Sequence, residues 1–182
     1  MLTPLLLTGL TIPACSGPRQ MSYVDLPAAR DSATADVSVW PAVYTILLGE
    51  LPAVMQAAWG GDPNDPPIGI VLTRQIRNSD EDRPLINHPR AWLDSLTRTG
   101  AIVSSRDIGK PVQGVDQAIF TVTLGRPKLL TADTVSVEVE FELQVISANR
   151  GARRFGQLRQ PKLTREASSW KVADWGIPVW SQ

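Results

Sequence analysis

Histidine and cysteine are almost missing from this chain: its 182 residues include one of each, His88 and Cys15. Structural zinc, iron–sulfur clusters and disulfide frameworks each need several such side chains, so no metal, cofactor or disulfide is expected. A Ser-His-Asp or Cys-His mechanism could run only through His88. Net charge is missing as well. The 18 Lys and Arg balance the 18 Asp and Glu, which argues against a nucleic-acid ligand, because phosphate binding needs a basic surface. There is no nucleophile–base pair, phosphate-binding glycine loop or dinucleotide fingerprint, which points to a non-catalytic binding or accessory protein. What is present suffices for a packed core: 43% of residues are hydrophobic and 20% charged, at a length that suits one domain.

Residues 1–14 carry no charged side chain, and Leu5, Leu6, Leu7, Leu10 and Ile12 form a short apolar stretch. As a helix it would reach roughly 21 Å at about 1.5 Å per residue, short of a ~30 Å hydrocarbon core. That length suits the apolar region of a secretory signal. The junction Ile12-Pro13-Ala14-Cys15, followed by Ser16-Gly17, resembles the lipobox of bacterial lipoproteins. In that family the signal is cut before the Cys, which then carries a diacylglycerol thioether. The resemblance implies lipid attachment at Cys15 and a protein of the cell envelope, held on the extracytoplasmic (periplasmic) side of a membrane. A lone Cys in an exported protein has no intramolecular disulfide partner, so lipidation gives it a physical purpose. Residues 15–36, rich in Ser, Ala, Pro and Asp, read as a flexible tether with a reach of roughly 25 Å. Tyr23, Val24 and Leu26 are its candidates for a small docking element.

Residues 37–182 read as a single α+β domain. From Val37 to Met55, Val39, Trp40, Val43, Tyr44, Ile46, Leu47 and Leu51 recur at helical spacing. Asp36 or Ser38 can cap this helix, and Pro52 predicts a break or kink near Gly49–Leu51, followed by a short second helix to Trp59. Ile68–Ile76 is rich in branched side chains and reads as a buried strand. Next comes a helix beginning near Pro89, with Asn87 or His88 as its cap and Gly100 as its stop. Short strands are expected at Ala101–Ser105 and Gln117–Leu124. Val135–Ile146 alternates apolar and polar residues strictly, which predicts one long strand with a buried and a wet face. Arg153–Arg165 is its expected partner, and Ser169–Trp180 closes the chain. Helices followed by a run of antiparallel strands place the helices on one face of a curved sheet. The order helix–strand–helix–strands resembles the cystatin-like group that includes the nuclear transport factor 2 fold. The ending Ser169-Trp170-Lys171-Val172 through Trp175 and Trp180 resembles the endings of bacterial envelope proteins of this build.

Candidate chemistry is sparse. His88 reads as a helix-capping or surface residue, with Glu81 and Asp82 as the nearest acids. Within the same fold group, enzymes of the SnoaL-like or ketosteroid-isomerase-like kind use a cone-shaped pocket with an Asp or Tyr. The resemblance makes Tyr44 and Asp94 the alternative catalytic candidates. Thr131–Ile146 carries Asp133, Glu138, Glu140 and Glu142 without a base. Arg150–Arg165 carries Arg150, Arg153, Arg154, Arg159, Lys162 and Arg165 without an acid. Paired as a hairpin, the two segments would set opposite charges across the ladder. Their surplus of positive charge is a candidate contact for an acidic partner or anionic lipid. Among the six tryptophans, Trp40, Trp92 and Trp170 are expected in the core. Trp175 and Trp180, with Arg150, Arg153, Arg154 and Arg159, form the candidate partner surface. The expected partners are a membrane, reached through the lipid anchor, and another envelope or membrane protein. An extrinsic subunit of a larger membrane complex is the alternative within that reading.

Overall fold

The alternation across Val135–Ile146 produces strand, but not one strand. The computed structural model describes residues 21–22, 34–59, 69–77, 86–104, 117–147 and 151–181. Here the segment divides at Val137–Glu138 into β7 (Thr134–Ser136) and β8 (Val139–Ser147). The returning segment divides at the same level into β9 (Gly151–Arg159) and β10 (Lys162–Glu166). Register survives the division. Ser136 faces Lys162 and Val139 faces Arg159, so three steps on one strand answer three on the other. The Val137 N–H donates to the Pro161 carbonyl at 3.1 Å. Pro161 has no N–H to return the bond, and the ladder is interrupted there.

Both neighbouring strands break at this level too. β5 (Gln117–Leu124) gives way to β6 (Lys128–Thr131). Four steps from Leu124 to Lys128 lie against three from Ser136 to Val139, the single-residue excess of a bulge. On the far side, Trp175–Pro178 separates β11 (Ser169–Asp174) from β12 (Val179–Ser181). The two sheets have orders β12-β9-β8-β5-β2 and β11-β10-β7-β6. They are therefore two halves of one long antiparallel ribbon that turns a corner. Backbones come close at that corner. The Gly125 N–H donates to the Glu138 carbonyl at 2.6 Å, and a Cβ at Gly125 would lie 2.9 Å from Glu138 Cβ. Gly176, at φ +69°, passes the Gln160 carbonyl so closely that a Cβ would approach its oxygen to 3.0 Å.

The long first helix, α1 (Trp40–Trp59), fills the buried side of this ribbon. Trp40, Val43, Tyr44, Leu47, Leu51 and Met55 share one core with Phe120, Val122 and Leu124 of β5, Val135 to Leu143 of β7–β8, Leu163 and Trp170. Asp36 accepts from the Ser38 N–H at 2.8 Å before a 3-10 turn at Val37–Val39, and the Trp40 indole N–H donates to the Ala35 carbonyl at 2.9 Å. The break expected at Pro52 does not occur: the helix runs through it. A proline inside a helix costs about 3 kcal/mol. Pro52 is exposed, while Leu51 and Met55 beside it are fully buried, and burying two such side chains offsets that cost. By length and composition Val37–Met55 could also cross a membrane; here its apolar face is spent on the core.

The segment expected as one strand at Ile68–Ile76 contains β2 (Gly69–Leu72) and β3 (Gln75–Ile76), separated at Arg74. β2 runs parallel to β5 at the sheet edge. β3 pairs with β4 (Ile86–Asn87), which in turn pairs in parallel with β1 (Met21–Ser22). Two contacts thus fall inside the segment read as a tether: β1, and Thr34–Ala35, where Thr34 bridges to Lys128 and the Ala35 N–H donates to Pro127. Tyr23, Val24 and Leu26 lie outside the described residues. The second helix, α2 (Arg90–Arg98), ends at Gly100 with φ +74°, as its glycine stop predicts. Ala101–Val103 is not a strand; the Val103 N–H reaches the Ile70 carbonyl at 2.7 Å as a single tie to β2. The molecule is α+β, with helices on a predominantly antiparallel sheet.

Candidate functional site

α1 and the start of α2 bring four rings together. Tyr44 meets His88 edge-on with centroids 5.3 Å apart; Trp92 lies 5.1 Å from His88 and 5.9 Å from Tyr44; Trp40 lies 6.3 Å from Tyr44. His88 is therefore neither a cap nor a surface residue, as its neighbour Pro89 had suggested. Its backbone N–H donates to the Arg74 carbonyl at 2.9 Å, drawing it in beside β3, and it is 4% exposed. Burial lowers the imidazole pKa to about 4, so the ring is neutral at neutral pH. A base that weak is poorly matched to proton transfer near pH 7. Glu81 and Asp82 lie outside the described residues.

The two catalytic candidates do not converge. Tyr44 is fully buried and its hydroxyl donates to the Gly125 carbonyl at 2.9 Å, pinning α1 to the corner. Asp94 is on the exposed side of α2, its side chain 65% accessible and 3.8 Å from Arg90 one turn earlier. Among the described residues the buried polar side chains are His88 and Gln157, and neither is an acid.

The charged segments also pair differently from the expectation. Glu140 faces Leu158 and Glu142 faces Gly156 across the hairpin, not arginines. Arg77, just after β3, instead spans both Glu138 at 2.8 Å and Glu140 at 2.7 Å. Sequence reading missed Arg77 because the contact depends on the parallel bridge that brings it beside Gly125.

The partner-surface residues map onto the ribbon's last edge. Among the described residues β12 pairs with β9 alone, at the end of its sheet. Val179 stands 62% exposed on it, and Ile177, in the segment just before the strand, 87%. Trp175 is half-buried against the core, and its indole N–H donates to Glu50 of α1 at 3.3 Å. Trp180 faces Gln157 in register. Arg153 and Arg154 pair in register with Val145 and Gln144. Arg150 and Cys15 lie outside the described residues. Arg159 lies on the inner face with Gln157. Its Nε–H donates to Gln157 Oε1 at 2.9 Å and its Nη1 to the Gly176 carbonyl at 3.4 Å. Burial lowers the Arg159 pKa but leaves the guanidinium charged. Gln157, only 1% exposed, was not singled out from sequence. Its signal is faint: a polar side chain at an inward position, between Phe155 and Arg159 in a strand without clean alternation.

Among the described residues no cluster of three or more His, Cys, Asp or Glu is placed to hold a metal. A scan against protein-family models finds no match, and searches of curated proteins and of solved structures find none either.

Proposed function

We propose that this chain is a non-catalytic, membrane-tethered binding or accessory protein of the cell envelope, anchored through a lipid on Cys15. In this reading the domain works on the extracytoplasmic, periplasmic side, and its partner is another envelope or membrane protein. The observation that carries the binding role is the free edge of β12. A strand edge unpaired among the described residues, bearing exposed Val179 and preceded by exposed Ile177, is a template for strand addition, which soluble proteins ordinarily blunt with charge or cover. Trp175 and Trp180 bracket that edge in sequence, and tryptophan is enriched at interfaces. Docking through this edge while held by a lipid also suits an extrinsic subunit of a larger membrane complex. The long helix on a cornered antiparallel ribbon supports the resemblance to the cystatin-like group.

The test is extraction of the native protein in mild detergent, with intact mass and a pull-down of bound proteins. The expected result is a chain beginning at Cys15 with added acyl mass, and a stable partner lost in an Ile177→Lys, Val179→Lys double variant. A chain beginning at Met1 with a free thiol, or Cys15→Ser protein that stays on the membrane, refutes the anchor. Partner recovery unaffected by the double variant refutes the docking edge.

A further inference from the structure

Arg159 is a positive charge held in place beside β12 without a negative partner. It follows Leu158, which pairs with Val179, so it stands at the level where the chain enters β12. Both groups that orient it are neutral: Gln157 Oε1 accepts from its Nε–H at 2.9 Å, and the Gly176 carbonyl accepts from Nη1 at 3.4 Å. The second bond ties the guanidinium to the Trp175–Pro178 connector, which is itself fixed. There the Gly176 N–H donates to Asp174 Oδ1 at 2.8 Å, and the Trp175 indole donates to Glu50. No carboxylate among the described residues forms an ion pair with Arg159, and its Nη2 has no acceptor among them. The side chain is only partly exposed, so some of its hydration is already lost. A guanidinium oriented in advance, with N–H groups to spare, is suited to recognise a carboxylate. Exposed Val179 and Ile177 lie beside it, and arginine among apolar side chains is the composition of an interface centre.

We propose that the segment added to β12 is acidic as well as apolar: an extended stretch of an envelope protein whose Asp or Glu carboxylate pairs with Arg159 while its apolar side chains cover Val179 and Ile177. The inference rests on the docking edge proposed above and adds what that edge selects. Main-chain pairing along a strand edge gives affinity with little regard to sequence, and side chains supply the choice. Val179 shares a row with Leu158, and Arg159 is the next residue of β9, so the two point to opposite faces. An added strand therefore meets both when an acid stands next to an apolar residue, in an alternating pattern. A basic segment is rejected at the same place by like charge.

The experiment selects a library of random peptides displayed on phage against the immobilised full chain. The most enriched peptide is then titrated by fluorescence anisotropy beside a copy whose acid is replaced by the matching amide. Enriched peptides are expected to alternate apolar residues with an Asp or Glu. The amide copy on the natural chain, and the original peptide on Arg159→Gln protein, should each bind at least tenfold more weakly. An Ile177→Ser, Val179→Ser double variant should weaken both peptides alike. Enriched peptides without an acid, or equal binding of the two copies, overturn the acidic preference and leave the docking edge standing. Binding that ignores the double variant overturns both. The comparison of the two peptides uses the natural chain, so it decides alone should Arg159→Gln not fold. Vesicles of anionic phospholipid that bind the natural chain but not folded Arg159→Gln would assign Arg159 to a lipid surface and overturn the proposal.

Discussion

Acidification should destabilise this protein through one side chain. The folded state keeps His88 neutral down to a pKa of about 4, against 6.5 for the exposed group. Between these values the unfolded chain holds a proton that the folded chain refuses, so unfolding takes up a proton and acid favours it. The stability is complete above pH 6.5 and is lost as pH falls towards 4. At about 1.4 kcal/mol per pH unit, the loss approaches about 3 kcal/mol, a large share of the ~5–15 kcal/mol that holds a domain together. His88 is the only histidine in the sequence, so no other side chain with an ordinary pKa titrates between pH 5 and 7. The assay is equilibrium urea unfolding, read by tryptophan fluorescence, at half-unit steps from pH 7.5 to 5. The free energy should fall with a slope approaching one proton below pH 6, and a folded His88→Leu variant should show a flat line over the same range. A flat line for the natural protein, or the same slope in the variant, would refute the reading of a buried neutral ring.

Two further substitutions test the corner. Gly125→Ala should cost about 1–3 kcal/mol, because its methyl would press on Glu138 Cβ at 2.9 Å; a denaturation midpoint equal to that of the natural protein would contradict this close approach. Tyr44→Phe removes the donor to the Gly125 carbonyl and should lower stability by about 1–3 kcal/mol with an unchanged denaturant slope, whereas an unchanged midpoint would mean that the bond contributes nothing.

Much of the architecture could be read directly from residue spacing. Val135 to Val145 declared a strand with one buried face, and Val135, Val137, Val139, Phe141 and Leu143 are all buried. Spacing carries which face is buried but not where a strand bends, since both halves of a bent strand keep the same period. The bend had a local sign in Pro161, which cannot complete a ladder pair. His88 was misread because a residue before a proline at a helix start usually faces solvent. Only the third dimension reveals that Tyr44, more than forty positions away, closes over it. Pro52 misled in the opposite direction, since a local helix breaker can be outweighed by burial on the other side of the same turn. The Arg77 contacts and the Gln157 amide depend on strand neighbours that no local window contains. Cys15 and Arg150 fall outside the described residues, so their reading rests on sequence alone.

The unbroken count across the corner has a consequence for how the chain acquires its shape. A residue inserted between Ser136 and Val139 would turn every later side chain of β8 to the opposite face while leaving β7 as it was. The same insertion opposite, between Arg159 and Lys162, would restore the match. The halves of the ribbon thus share a single reading frame, and an error on one side of the corner is felt on the other. A shift of pairing in one half of the hairpin therefore has to be matched in the other or taken up by a bulge, as it is between β5 and β6.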